Sequence, residues 1–356
     1  MDQMQTKSSE TDVMQVAVVG VGRMGKHHAR TYAKMPGVRL MAVVDADADR
    51  ADTVAQEYGC AACASIEELL AKFPGVKAAS IAVPTVHHAA AARPLLERKI
   101  ACLIEKPLAS SVAEAKQLAQ FAGDCGVPVQ VGHTERFNPA VRAVAALDIT
   151  PRFVEVDRVS PMTFRSLDVG VVMDMMIHDL DIVLMLVDSP IKRVEATGVA
   201  VIGKHEDIAN ARLVFASGCV VNLTASRLAL NTTRRMRVFS ETAYVSLDYH
   251  KRTGIIVRRS DNDEALSDVR AQIERGGDLS DLDYSKLVTL DELKMDLEPG
   301  QDDPLTAELT SFLEAVRGRR EPVVDAQAGY AAVEAAERVV AAINEHRWEG
   351  LAGVRL

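Results

Sequence analysis

This sequence is short of several things, and each shortage removes a class of function. No run of about 18 apolar residues occurs, so no membrane-spanning helix is expected. There is no basic excess: 41 Lys and Arg against 50 Asp and Glu leave a net charge of −9. Nucleic acid is therefore not expected as a partner, because neutralising phosphates takes a basic face. Only five cysteines are present, Cys60, Cys63, Cys102, Cys125 and Cys219, odd in number and scattered. That usage fits a reducing, cytoplasmic location and not a disulfide framework. Cys60-Ala61-Ala62-Cys63 is a lone CxxC with no second ligand pair at zinc spacing, so packing beside a helix is the simpler reading. The polar start, residues 1–12, lacks an apolar signal-peptide core and reads as a frayed tail. No internal repeat or low-complexity tract stands out.

What remains has ordinary globular composition, 48% hydrophobic and 26% charged. At 356 residues the chain exceeds one ordinary core, and about two domains are expected. Residues 14–19 (MQVAVV), 38–44 (VRLMAVV), 78–83 (AASIAV), 100–104 and 127–131 are short apolar runs, the pattern of buried parallel strands. Helical periodicity fills the intervals at 25–35, 47–58, 66–72, 86–98 and 111–123. Strands alternating with helices predict a doubly wound parallel sheet over residues 13–132. After Gly132 the pattern changes. Longer strands with polar alternation are expected at 152–159, 192–202, 208–216, 219–226, 236–240, 243–248 and 254–258, interrupted by one helix at 172–187. An acidic, irregular excursion over 259–303 and two amphipathic helices, 304–317 and 326–346, complete a second, α+β domain over 133–356 with an antiparallel sheet. Such a sheet, left uncovered on one face, predicts a homodimer or homotetramer.

Two motifs fall at strand ends of the first domain. Gly20-Val21-Gly22-Arg23-Met24-Gly25 lies between a strand and a helix, the context that gives a GxGxxG turn meaning as a dinucleotide site. Gly20 allows the tight turn, Gly22 lets backbone approach a pyrophosphate, and Gly25 allows close helix–strand packing. Asp45 follows at the end of the second strand, where a carboxylate accepts hydrogen bonds from the adenosine ribose and repels a 2′-phosphate. NAD is thus favoured, with Arg50 keeping NADP open. Pro84, Thr85 and the histidines after them end another strand, either as a cap or as a floor for the nicotinamide ribose. The second motif, Glu105-Lys106-Pro107, puts an ammonium at the end of a further strand of that sheet, where the reactive end of a dinucleotide would lie.

In the second domain, Asp174 and His178 are four apart on the predicted helix and share a face. Histidine can take the proton of an alcohol, a nearby cation such as Lys106 would stabilise the resulting oxygen, and the aspartate would orient the ring or bind a second hydroxyl. A helix cap with a dipole partner is the structural alternative, and a metal held by Asp174, His178 and Asp181 a weaker third.

The glycine turn, Pro84-Thr85-x-x-His88, Glu105-Lys106-Pro107 and Asp174-x-x-x-His178, in that order and spacing, resemble the glucose–fructose oxidoreductase/inositol dehydrogenase/rhizopine-catabolism (Gfo/Idh/MocA) oxidoreductases over nearly the whole chain. The resemblance implies a Rossmann domain, a C-terminal domain with a large open antiparallel sheet, and a Lys–Asp–His set carried onto Lys106, Asp174 and His178. It places Gly20, Gly22, Arg23, Met24, Gly25, Asp45, Arg50, Pro84, Thr85, His88, Glu105 and Lys106 at the cofactor. The catalytic groups would then meet in an interdomain cleft. Val131-Gly132-His133-Thr134-Glu135-Arg136-Phe137-Asn138-Pro139 resembles a subgroup that includes UDP-N-acetylglucosamine 3-dehydrogenases. The family often has Gly-Gly shortly before Asp-x-x-x-His, where this chain has Val169-Gly170-Val171-Val172. The expected substrate is a sugar nucleotide oxidised at its 3-hydroxyl. A free sugar or cyclitol is the alternative within this chemistry, and a non-catalytic NAD- and sugar-binding regulator the alternative of another class. A diphosphate needs cations. Arg136, Arg158 and Arg165 lie in segments leading to the catalytic helix, with Arg165 nearest to it, and Arg234, Arg235 and Arg237 form a local basic cluster. Arg136 and Arg165, together with Asp174 and His178, are the expected substrate contacts.

Overall fold

The apolar runs of the first third fold as six parallel strands: β1 (Met14–Val19), β2 (Val38–Val44), β3 (Ala61–Cys63), β4 (Ala78–Ile81), β5 (Ala101–Glu105) and β6 (Val129–Gly132). Their order, β3-β2-β1-β4-β5-β6, is that of the doubly wound dinucleotide fold, with its switch point between β1 and β4. Helices α1 (Arg23–Lys34), α2 (Ala48–Tyr58), α3 (Ile66–Lys72), α4 (His88–Glu97) and α5 (Val112–Cys125) connect them. Asp47, Ser65 and Ser111 cap α2, α3 and α5 through side-chain oxygens, which satisfies backbone N–H groups left over at each helix start. Every residue of β4, β5 and β6 is buried, as expected of strands covered on both faces. The sequence reading misses β3. Its three residues, two of them alanine, are too few to show alternation.

This computed structural model describes residues 13–163, 169–260, 263–276, 287–295 and 303–348. The polar start and Arg165 lie outside the described residues. Two compact units result, Met1–Phe137 with Pro299–Glu334, and Asn138–Glu298 with Ala335–Leu356.

The second unit contains α6 (Pro139–Ala145), β7 (Phe153–Val159), α7 (Ile177–Val187), β8 (Ile191–Val199), β9 (Ile208–Phe215), β10 (Val220–Ser226), β11 (Thr233–Phe239), β12 (Ala243–Asp248), β13 (Thr253–Arg259), α8 (Asp263–Glu274) and β14 (Val288–Glu292). The eight strands form one sheet, β14-β13-β12-β11-β7-β10-β9-β8. It is antiparallel except for one central parallel ladder, β7 with β10. Buried and half-buried residues alternate along β7 and β12, so one face packs inward and the other is less covered. On that second face the rings of Phe153, Phe239 and Tyr244 stack in sequence, with centroids 5.6 and 4.9 Å apart.

Two expectations are corrected here. The stretch 259–303 is not an irregular excursion throughout, because α8 and the edge strand β14 lie within it. In β14 (VTLDE) four of the five residues are exposed, so it lacks the apolar alternation that marks a strand. The second correction concerns α9 (Pro304–Val316), which follows it in the chain and belongs to the first unit, together with the N-terminal part of α10 (Ala326–Glu345). Leu309, Phe312 and Leu313 of α9 join Val16, Val18, Tyr32 and Leu103 in the first unit's core. Each such buried side chain is worth about 1.5–3 kcal/mol.

Candidate active site

In the first unit, the chain leaves β1 into a turn that only glycines fit. Gly20 has φ +81°, and a Cβ there would lie 2.7 Å from the Val83 nitrogen. A Cβ on Gly25 would meet the Gly20 carbonyl oxygen. Gly22 differs: nothing lies within 4 Å of a Cβ built on it, so the turn is open on this side. Gly22 is also the cap of α1, has no side chain to satisfy the first-turn N–H groups, and no acid stands in that turn. An open glycine before an uncapped helix N-terminus is the chemistry of a pyrophosphate cradle.

Asp45 fastens this turn. Its Oδ2 accepts from the Val21 N–H at 2.8 Å and its Oδ1 from the Asp47 N–H at 3.0 Å. A carboxylate has about four acceptor positions, so capacity for ribose hydroxyls remains. Arg50 is engaged with acids: Nη2 is 2.6 Å from Asp47 and Nη1 3.6 Å from Asp45. Arg23 is exposed and Met24 half-buried. Pro84 precedes a 3-10 turn, Thr85–His87, in which no side chain caps.

Lys106 stands half-buried just past β5, its peptide to Pro107 cis. Two strand spacings, about 10 Å, separate β5 from β1. The residues on either side of Lys106 are each held by a buried histidine. Glu105 Oε1 accepts from His28 Nε2 at 2.8 Å. Burial works to raise the Glu105 carboxyl, but the His28 hydrogen bond and the charges of His28, Lys106 and His88 hold it below the usual carboxylate range. His88 lies 2.9 Å from the Pro107 carbonyl through Nδ1 and 3.0 Å from the Val83 carbonyl through Nε2. Burial pushes its ring below the ordinary histidine value, opposed by those carbonyls and by Glu105. His88 is 1% exposed, so it braces the turn from inside the fold and is not a surface for cofactor. His28 has no motif of its own, and the sequence reading misses it.

In the second unit, Asp174 lies on a π-helical turn, Val172–Met176, which runs directly into α7. The expected continuous α-helix is thus widened at its start, a form often found at functional sites. Asp174 and His178 are both half-buried. Glu206 grips the entry: its carbonyl accepts from Val171 N–H at 2.9 Å and its Oε1 from Val172 N–H at 3.2 Å. A Cβ on Gly170 would run into that same carboxylate, which explains why glycine precedes the valines. Met176 and Ile177 are buried and Met175 is half-buried. Asp181 is 1% exposed, apart in burial from Asp174 and His178. Among the described residues no group of three or more His, Cys, Asp or Glu is placed to hold a metal.

The arginines are redistributed. Arg158 forms a buried bidentate pair with Asp179 of α7, Nε to Oδ2 at 2.6 Å and Nη2 to Oδ1 at 2.9 Å. It anchors the residue after His178 and is not exposed to a ligand. Arg234, Arg235 and Arg237 are not one cluster: alternation along β11 puts Arg234 on the Met236 face and the other two opposite, where Arg237 pairs with Glu155 at 3.0 Å. Arg136 is 9% exposed, on a 3-10 turn of the first unit, Thr134–Phe137, held to α9 by the Thr134–Glu308 hydrogen bond of 2.9 Å.

Known proteins are similar to this chain in sequence and in fold. The profile of an oxidoreductase family with an NAD-binding Rossmann fold matches residues 14–133, and the Gfo/Idh/MocA C-terminal domain matches 147–246. UDP-N-acetylglucosamine 3-dehydrogenase from Acidithiobacillus ferrooxidans is 34% identical over 332 residues, 93% of this chain and 97% of that protein. A solved structure of that enzyme superposes with a TM-score of 0.80. The scyllo-inositol 2-dehydrogenase (NAD(+)) of Bacillus subtilis is 31% identical, over 51% of this chain and 56% of its own. With both halves matched and a full-length relative above 30% identity, the chain belongs to the Gfo/Idh/MocA family of oxidoreductases, with an NAD-binding Rossmann fold in its first part.

Proposed function

We propose that this protein oxidises the 3-hydroxyl of a UDP-N-acetyl amino sugar to the ketone with NAD. The observation that carries this reading is the reach of the similarity. The sequence match to the UDP-N-acetylglucosamine 3-dehydrogenase covers 93% of this chain, whereas that to the inositol dehydrogenase covers 51%. The first unit, α9 included, is the half that holds the cofactor, and the second unit supplies Asp174, His178 and the oligomer contacts. Asp45 favours NAD, since a 2′-phosphate beside it would face a carboxylate already fixed by two backbone N–H groups.

NAD supplies the acceptor for the hydride leaving the carbinol carbon. Hydride leaves an alkoxide far more readily than an alcohol, so the protein must remove the hydroxyl proton. His178 takes that proton at a ring nitrogen, Asp174 orients His178 or the neighbouring hydroxyl, and the Lys106 ammonium stabilises negative charge on the oxygen. Arg136 and Arg165 are the proposed diphosphate contacts. The half-covered sheet face with Phe153, Phe239 and Tyr244 is the proposed contact between copies, in a homodimer or homotetramer. Among the described residues no helix is long and apolar enough to cross a membrane.

A panel of UDP-sugars, free hexoses and inositols, each with NAD and with NADP, tests the reading by absorbance of the reduced cofactor. Oxidation of a secondary alcohol is uphill near neutral pH, so a ketone-consuming aminotransferase is included. UDP-N-acetylglucosamine with NAD is expected to give the highest kcat/KM, at least about tenfold above NADP. Turnover of a free sugar or inositol without turnover of any UDP-sugar would overturn the substrate.

A further inference from the structure

His28 is fully buried in the first unit, on the inner face of α1. A buried histidine is costly unless its polar atoms are used. Among the described residues Nδ1 has no hydrogen-bond partner, so the ring's polar chemistry is directed at one atom, Oε1 of Glu105 at 2.8 Å. Leucine would fill the same core space without burying a polar nitrogen, so the Glu105 contact is what histidine adds. Glu105 is itself enclosed. A Cβ on Gly132 of β6 would come within 3.1 Å of its Cδ and Oε2, so the neighbouring strand is pared to glycine where the carboxylate lies. Lys106 is the next residue, and its charge acts on Glu105.

We propose that His28 is a positioning residue of the reaction: from α1 it fixes the Glu105 carboxylate, and through it the ammonium of Lys106. The chain of contacts runs from the helix after the glycine turn to the end of β5, within one unit. The titratable groups acting on Glu105 are His28 from α1, His88 from α4 and Lys106 beside it. His88 lies against the Pro107 carbonyl on the other flank, a contact that a change at His28 leaves in place. This inference rests on the reading of Lys106 as the cation at the reacting oxygen.

The test compares His28→Leu with His28→Gln in the full chain. Glutamine places an N–H donor close to the position of imidazole Nε2, and leucine places none. His28→Leu is expected to lower kcat by about 10–100-fold with the NAD Kd within about threefold of wild type, and His28→Gln to recover most of the loss. A second readout needs no turnover: acetylation of Lys106 by acetic anhydride, followed by mass spectrometry with exposed Lys192 as internal standard. With Glu105 released, the Lys106 amine is freed from a carboxylate that favours its charged form, and its acetylation rises at least about threefold in His28→Leu and not in His28→Gln. Should His28→Leu not fold, His28→Asn, whose amide is one carbon shorter, carries the same expectation against His28→Gln. Unchanged kcat, unchanged Lys106 acetylation, or equal damage in the Gln variant would each overturn the proposal. An active Lys106→Ala variant would instead refute the role of Lys106 and leave the acetylation result to decide the coupling.

Discussion

Replacing Lys106 by alanine is expected to lower kcat by about 10³-fold while the Kd for NAD stays within about threefold. As the carbinol proton leaves, negative charge gathers on an oxygen that must then release hydride, and a fixed ammonium stabilises that charge without reorganising at the moment of reaction. Removing one such preorganised group typically costs about 10²–10³ in kcat. Binding of the dinucleotide should survive, because the groups proposed to hold its phosphates and ribose are separate: the open side of Gly22, the α1 N-terminus and Asp45. Lys106→Arg should recover only part of the rate, since a planar guanidinium does not reproduce a compact point charge. Steady-state turnover and NADH fluorescence titration separate the two effects. Near-normal turnover in Lys106→Ala would remove lysine from the mechanism.

The second large effect is on stability. Arg158 and Asp179 are 4% and 2% exposed at their side chains and share two hydrogen bonds of 2.6 and 2.9 Å. Deleting one partner leaves the other's charge buried without its counter-ion, a loss of about 3–5 kcal/mol. Asp179→Leu should therefore lower the melting temperature by about 6–20 °C. The double change Arg158→Met with Asp179→Leu should regain much of the loss, because a well-packed apolar pair of similar volume avoids the desolvation cost. Calorimetry on the two single variants and the double variant closes the cycle. Equal stability of Asp179→Leu and wild type would mean the pair is idle. Asp179 follows His178 on α7, so the pair also ties the residue next to the proposed proton acceptor to β7.

Which of these features could be read from the sequence follows from how far apart the partners lie. The glycine turn and the places of Asp45 and Glu105-Lys106-Pro107 at strand ends are legible because each is a local feature: a turn, a strand end and a fixed spacing. The parallel strands were legible as apolar runs, with bounds at β2 and α3 that coincide with the observed ones. His28 with Glu105 was not legible, since 77 residues separate them and neither position has periodicity that points to the other. Arg158 reads as a candidate diphosphate cation because its partner Asp179 lies 21 residues on, in a different element. His88 looked like a cofactor contact because a motif gives identity and order but not burial. The π turn at Asp174 was invisible for a different reason: one widened turn barely disturbs the apolar periodicity that identifies a helix. Likewise α9 reads as one more amphipathic helix, and only its packing onto Val16, Val18 and Tyr32 assigns it to the first unit.

The central claim is that the hydrogen at C3 of a UDP-N-acetyl amino sugar leaves as hydride to the nicotinamide. UDP-N-acetylglucosamine carrying deuterium at C3 tests it in one measurement, with the reduced cofactor isolated and weighed by mass spectrometry. One deuterium is expected in each NADH formed, with a ketone at C3 of the sugar. Unlabelled NADH from the C3-deuterated substrate would contradict it.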